Sequence, residues 1–456
     1  MLEEIARLYS SENISASLDY FFTQYNAIGR PFLDVLHIIF SSVFDVLLVF
    51  TAVISLIYVA MTLFIVFKKK SHNKASGNEE LPFVTIQLPT YNEPIVLNCA
   101  KKCLEMDYPK NKYELIIGDD SSDVNVSAAI SQFATQNGVT VVRRGSNSGY
   151  KAGNLNSMLK HTKGEIIVLF DSDFLPPKNF LKEIVKPFSD KRVAGVQAKW
   201  NFVNAEQNMI SILGSTIVEV FQSITMKFMW QNRKLAFLCG SAEAVRKEVL
   251  VELGGWDHGN LTEDIEFSLR LIKNGYRIEY LYDLRCESEV PYEPKDLYKQ
   301  QMRWAYGVVS SYIKHAKDIY ASKKITFQDK LYTGLICSGY LLTVLLALLF
   351  ITGLLSVLTH PPAPIDFGKF FFETARNTLI TSGLILASVA VCSLSAINYS
   401  GRKLHSSKIK HLLKMVASSF SFGLIVAYHV NIGIWKAIFR QPMRWYMLKK
   451  GAHSNG

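Results

Sequence analysis

The chain has 456 residues, almost half of them hydrophobic, and a formal net charge of +11. Its mean hydropathy of +0.14 is high for a purely soluble protein, so a polar domain of ordinary size joined to membrane segments is the expected class. The basic residues gather beside apolar runs, at 68–70 and at Arg402, Lys403, Lys408 and Lys410, which points to anionic lipid and a cytoplasmic face and argues against nucleic acid as a partner.

Residues 1–45 mix Leu, Phe and Tyr with charges and read as an amphipathic, interfacial region. Glu3 and Glu4 stand where a secretory leader would be basic, so no removable signal peptide is expected. Runs 46–67, 331–359 and 377–400 hold 22, 29 and 24 uncharged residues, each enough to cross about 30 Å of hydrocarbon as a helix. Lys68, Lys69 and Lys70 place the following polar region in the cytoplasm, and the proline-bearing loop 360–376 outside. Run 415–435 is also apolar, but basic residues flank both sides of it, including Lys449 and Lys450. An interfacial or re-entrant helix with Ser421, His429 and Asn431 toward protein or water reconciles the two; a fourth span is the alternative. Asn13, Asn125 and Asn398 open N-x-S triplets of a kind frequent by chance. The six cysteines form no C-x-x-C pair, which argues against a zinc cluster or a disulfide framework.

Between a polar linker at 68–80 and the later spans, residues 81–299 alternate short apolar runs with helical stretches, the pattern of a parallel sheet covered by helices. Runs 83–88, 114–117, 140–142 and 165–170 read as strands. Polar clusters follow three of them: Thr90-Tyr91-Asn92-Glu93, Asp119-Asp120-Ser121-Ser122 and Asp171-Ser172-Asp173. In an open α/β sheet such clusters at the carboxyl ends of strands converge on one ligand crevice. No G-x-G-x-x-G or Walker lysine motif is present, which removes the usual dinucleotide and P-loop readings.

Asp171 and Asp173 can share one hard cation, Mg²⁺ or Mn²⁺ bridging a diphosphate, although alone they read more readily as a solvated turn after a strand. Lys151, in a glycine-containing approach to a helix, suits phosphate oxygens or simply caps that helix. Asp264, in Thr262-Glu263-Asp264 ahead of a buried helical face, falls in a first helical turn. It can accept a proton from a sugar hydroxyl or act as a capping acid. Gln300, Arg303 and Trp304 share one helix face. The arginine can neutralise a leaving diphosphate and the indole can stack on a sugar; an interfacial helix anchored by its tryptophan is the other reading.

This ordered set resembles the membrane-integrated family 2 glycosyltransferases, the branch of cellulose, chitin, hyaluronan and mannan synthases, over residues 80–310. The resemblance implies an α/β GT-A (Rossmann-like) catalytic domain plus transmembrane and interfacial helices, the latter at 300–330 and 401–456. Thr90, Tyr91 and Glu93 look like part of the donor pocket, and Asp120 like the acid that contacts uracil. Lys151 of K-A-G-N-L-N looks like the lysine near the diphosphate, and Asp171 and Asp173 like the metal site. Asp264 of T-E-D resembles the catalytic base. Gln300, Arg303 and Trp304 match Q-x-x-R-W. Cys239, Gly240 and Ser241 of F-x-C-G-S lie with Glu263 on the acceptor side. Pro442-Met443-Arg444-Trp445 is similar to the segment after a third interfacial helix of that family. Its members usually carry further spans and often a gating loop beyond this point, whereas this sequence ends at Gly456, so a complete polymer channel in one subunit is not expected.

The expected function is inverting transfer of a hexose from a nucleotide-sugar, UDP-linked by preference, to a growing β-linked polysaccharide, at the cytoplasmic side of a plasma membrane or endomembrane. A lipid acceptor and a non-catalytic sugar-nucleotide-binding membrane protein are the alternatives, and homo-oligomerisation stays open. A transporter fits less well, because the spans lack paired intramembrane charges.

Overall fold

The computed structural model describes residues 30–68, 80–360 and 407–451, with a few scattered positions outside them. The expected span 377–400, the interfacial stretch before residue 30, nearly all of the linker and of the loop at 360–376, the basic positions 402 and 403, and the triplets at Asn13 and Asn398 lie outside the described residues.

The chain divides into two compact units, Met1–Ile57 with Val344–Ser388, and Tyr58–Thr343 with Val389–Gly456. In the first, His37 Nδ1 meets the Ser356 carbonyl at 2.9 Å, and Phe44 packs on Gly353. Four described helices are long and apolar enough to cross a membrane: Arg30–Phe67, Met209–Arg233, Leu341–Thr359 and Ile409–Ile438. Met209–Arg233 is mostly buried inside the protein, so its apolar character is used in packing.

Three sequence boundaries change. The first helix is continuous from Arg30 to Phe67, so residues 30–45 extend the apolar helix and do not form a separate interfacial element. The run 331–359 is not one span: a helix over Phe327–Cys337 ends before a second begins at Leu341. The reason is packing. Thr333, Gly334 and Cys337 are buried, and a side chain at Gly334 would meet the hydroxyls of Tyr312 and Tyr320, so this part of the run covers the domain. The run 415–435 sits within a longer helix, Lys408–Ile438. Its Gly433 lies against the backbone of Met302 and Tyr306, His429 stacks on Tyr298 at 5.1 Å, and Asn431 accepts from Thr343 Oγ1 at 2.7 Å. Of Ser421, His429 and Asn431, the last two thus face protein.

The second unit is built on seven strands: β1 Val84–Thr90, β2 Tyr113–Asp119, β3 Thr140–Val142, β4 Ile166–Leu169, β5 Val193–Phe202, β6 Glu243–Arg246 and β7 Arg277–Ser288, in the order β3-β2-β1-β4-β6-β5-β7. The period of two is visible in the core. Leu115, Ile117, Ile166 and Val168 pack on one face, and Ile116, Ile167 and Leu169 on the other. On β1, Thr85 and Gln87 replace apolar residues at two buried positions, and each is hydrogen-bonded, to Glu114 and Thr162.

The sheet is mixed rather than wholly parallel, because β6 runs antiparallel to both β4 and β5. Two reversals leave β5 and β7 parallel to β1, β2 and β4. The carboxyl ends of β1, β2, β4 and β5 and the amino end of β6 therefore share one edge. That edge carries the site.

Candidate active site

Thr90 ends β1 opposite Asp119, the last residue of β2. Asp119 does not reach the cavity. Burial alone would raise its pKa, but hydrogen bonds from Ser127 and Ser121 and from Arg143 Nε at 2.8 Å bring the carboxyl below its ordinary range. Its neighbour Asp120 does line the cavity and is clasped by the guanidinium of Arg144 through Nε and Nη2. Tyr91 and Tyr150 flank the same wall, both in ring contact with Trp445.

Beyond β4, Asp171 and Asp173 enter the cavity, and Asp171 is fixed by its backbone N–H donating to Ser241 Oγ at 2.9 Å. Ser241 is fully buried, so it supports the turn from behind while Cys239 and Gly240 face the cavity. The reversal of β6 makes this possible. Only a strand entering the sheet at this edge brings the Cys239–Ser241 loop beside the end of β4.

Lys151, in the first turn of the helix Tyr150–Leu159, ties the two halves of the site together. Its Nζ lies 2.7 Å from Asp171 Oδ1 and 3.2 Å from Glu263 Oε1, and it donates to the Gly240 carbonyl. Burial works against its charge, but Asp171 and Glu263 outweigh that and hold it protonated. Burial favours the neutral form of Asp171 too, and Lys151 and Lys450 reverse it, leaving the carboxyl low.

Asp264 sits, as expected, in the first turn of the helix Glu263–Lys273. Burial, then the Glu263 charge, pushes its pKa up to about 7 against the pull of Lys151 and Arg303. Gln300, Arg303 and Trp304 project into the cavity from the helix Pro294–Ala321, and Arg303 Nη1 donates to the Leu261 carbonyl at 2.9 Å. The close approach of this helix to Thr262 is made possible by Gly307, where any Cβ would collide with the threonine side chain. Thr90, Tyr91, Glu93, Asp120, Lys151, Asp171, Asp173, Cys239, Gly240, Glu263, Asp264, Gln300, Arg303 and Trp304 thus surround one cavity.

Three groups of side chains belong to the site beyond those assigned to it from the sequence. Trp445, Tyr446, Lys449 and Lys450 form one wall. Lys450 Nζ is 2.9 Å from Asp173 Oδ1 and 3.1 Å from Glu93 Oε1. The basic pair at 449 and 450, read as membrane-flanking charge, is anchored on protein carboxylates, because Lys449 pairs with Glu293 at 2.7 Å. Glu243 is fully buried, and its Oε2 accepts the backbone N–H groups of Cys239 and Gly240 at 3.0 and 2.7 Å. Burial and then Asp264 raise its pKa to about 8. Trp200 and Phe202, from the end of β5, complete the cavity beside Trp304.

Residues 82–307 match the family model described as Glycosyltransferase like family 2. This chain carries a family 2 glycosyltransferase domain. Over 272 residues it is 31% identical to "Probable glucomannan 4-beta-mannosyltransferase 7" of Oryza sativa subsp. japonica, covering 57% of this chain and 46% of that protein. Over 275 residues it is 31% identical to glucomannan 4-beta-mannosyltransferase 7 of Arabidopsis thaliana, covering 56% and 48%. The chain spans about half the length of these relatives. A mannosyltransferase from Pyrobaculum calidifontis, solved in complex with GDP-Man and Mn²⁺, superposes over 90% of this chain and all of its own with a TM-score of 0.52 at 18% identity, which supports the GT-A fold.

The carboxylates of Asp171 and Asp173 fit a hard divalent cation: both supply oxygen, both face the cavity, and each already holds a positive charge in the ammonium of Lys151 or Lys450. Among the described residues no group of three or more His, Cys, Asp or Glu converges as a closed metal cage. An ion there would draw its other ligands from water and from phosphate oxygens.

Proposed function

We propose that this protein transfers a hexosyl unit from a nucleoside diphosphate sugar to a glycan acceptor, with inversion, at the cytoplasmic face of a membrane held by its apolar helices. The observation that carries this reading is Lys151, which joins the Asp171 side of one cavity to the Glu263–Asp264 side while Arg303 and Trp304 project into the same cavity. A mannosyl donor is the first candidate, because the relatives bear mannosyltransferase names. UDP-hexoses are the second, as expected from Asp120.

The donor's nucleoside would lie between Tyr91 and Asp120, and its diphosphate near Lys151 and Arg303. Asp171 and Asp173 would hold Mg²⁺ or Mn²⁺, which when bound supplies electrostatic stabilisation of the leaving diphosphate. Asp264 in its ionised form takes the proton from an acceptor hydroxyl, whose oxygen attacks the anomeric carbon from the face opposite the departing diphosphate. One displacement inverts that carbon, so an α-linked donor gives a β-glycoside. Lys151 and Arg303 neutralise the negative charge that builds on the leaving group.

The test is a donor panel of GDP-mannose, UDP-glucose and UDP-N-acetylglucosamine, given to the detergent-purified chain with Mn²⁺ or Mg²⁺. Transfer from one donor by the wild type and none by Asp264→Asn, with donor binding kept, is the expected result. Turnover equal in the two proteins rejects Asp264 as the base.

A further inference from the structure

Trp200 lies two residues before the end of β5, and the strand order makes its position informative. Because β5 is parallel to β1, β2 and β4, its carboxyl end opens on the edge that carries Thr90 and Asp171. The residue is held there through both its ring and its backbone. Its Nε1–H donates to the Ser241 carbonyl at 3.0 Å, and its backbone N–H donates to Gln222 Oε1 at 2.9 Å. Gln222 comes from a π-helical turn, Phe221–Met226, of a kind that helices keep at functional positions more often than elsewhere. The rim of the ring meets Phe174 edge-on at 5.4 Å. Phe202, Val218 and Val290 support it from below.

These contacts use the one polar atom of the ring and fix its orientation, yet Trp200 stays half-buried and lines the cavity that contains Asp264. The part of the ring left open faces a cavity that also holds the acids and cations of the site, so the indole is not used for packing alone. Trp304, also half-buried, stands next to it with ring centres 6.3 Å apart and planes inclined by 55°. Two fixed indoles at that spacing present two adjacent apolar faces. Pyranose rings have apolar C–H faces that stack on indole, and neighbouring rings in a glycan are separated by about this distance.

We infer that Trp200 is a second acceptor platform, which with Trp304 holds two consecutive sugar rings of a glycan acceptor. The inference rests on the glycosyltransferase reading above and narrows it: the acceptor is an oligosaccharide or longer, and one sugar on a lipid head group occupies the Trp304 platform alone.

Binding and turnover are measured separately on the detergent-purified full chain. First, β-1,4-linked mannotriose and free mannose are titrated against intrinsic tryptophan fluorescence without donor. Second, initial rates with the active donor are measured against mannotriose concentration. Trp200→Ala is expected to weaken mannotriose binding and raise its KM at least tenfold while donor KM stays within twofold, and Trp200→Phe is expected to recover most of the loss. A residue with only a packing role would change stability and both KM values together. The inference is overturned if folded Trp200→Ala binds mannotriose like the wild type, or if donor and acceptor KM rise equally. Should Trp200→Ala not fold, Trp200→Phe decides: an acceptor KM shift of twofold or more, with donor KM unchanged, upholds it, and no shift rejects it. A wild type that transfers sugar to lipid but neither binds nor extends mannotriose defeats the platform and leaves the transferase standing. A wild type that transfers from no nucleotide sugar defeats the underlying reading instead.

Discussion

The ammonium of Lys450 rests 2.9 Å from Asp173 Oδ1 and shares that carboxylate's corner with Glu93. A positive charge contributed by the carboxyl-terminal segment therefore stands where the proposed cation would bind. Two cations cannot occupy that corner at once, so Lys450 and the metal compete. Lys450→Ala is expected to tighten Mn²⁺ binding to the nucleotide-free protein by roughly tenfold, about 1.4 kcal/mol. Proton relaxation enhancement on titration with Mn²⁺ measures it, and equal affinity in the two proteins contradicts the competition.

Asp264 must be ionised to accept a proton, and its pKa stands near 7 because of burial first and the Glu263 charge second. The rate constant kcat should therefore fall as pH drops through about 7 and level off above it. Glu263→Gln removes the second cause and is expected to move this limb toward lower pH. A pH profile of kcat at saturating donor reads both; an unmoved limb in Glu263→Gln would show that the titrating group is not Asp264.

Gly240 adopts φ +86°, and a Cβ there would stand 3.2 Å from Asp264 Oδ2 and 3.4 Å from Lys151 Nζ. Gly240→Ala combines a left-handed backbone penalty of about 1–2 kcal/mol with pressure on both functional groups. Activity is expected to drop by at least tenfold with only a modest loss of stability. Thermal unfolding alongside initial rates separates the two effects.

Asp119 contributes to stability in a pH-dependent manner. Its folded-state pKa lies below the unfolded value, so its contribution is complete above the unfolded pKa near 3.9 and is lost as pH falls through the folded value. Asp119→Ala is expected to cost roughly 1.5–3 kcal/mol at neutral pH, the range for hydrogen bonds to a charged group. The difference from wild type should shrink in acid. Urea unfolding at pH 7 and pH 3.5 tests both the size and the trend.

The acidic half of the site was legible because each piece has a local signature. Asp171 and Asp173 follow a short β-branched run, Asp264 opens an amphipathic helix, and Gln300, Arg303 and Trp304 share a face by helical spacing alone. The missing pieces depend on direction and distance, which hydrophobic patterning does not encode. The period of β6 is the same whether it runs parallel or antiparallel. The strand β5 carries Lys199, which reads as an interruption, yet its ammonium is buried and donates to Ser223 Oγ at 2.6 Å. Lys450 resembles any lysine beside an apolar helix, and its partners Glu93 and Asp173 are hundreds of residues earlier in the chain. The break before Leu341 was hidden because burial against protein and burial in lipid select the same side chains.

Lys151 is shared between Asp171 and Glu263, so one ammonium balances acids on both sides of the proposed reaction centre. A divalent ion arriving with the sugar nucleotide would take over Asp171 and leave Lys151 more fully to Glu263 and the diphosphate. The proton affinity of the neighbouring Asp264 would then depend on whether the first substrate is already in place. On the proposed function, such wiring would favour compulsory-order kinetics, and idle hydrolysis of the activated sugar would be a sensitive reporter of any change at this one lysine.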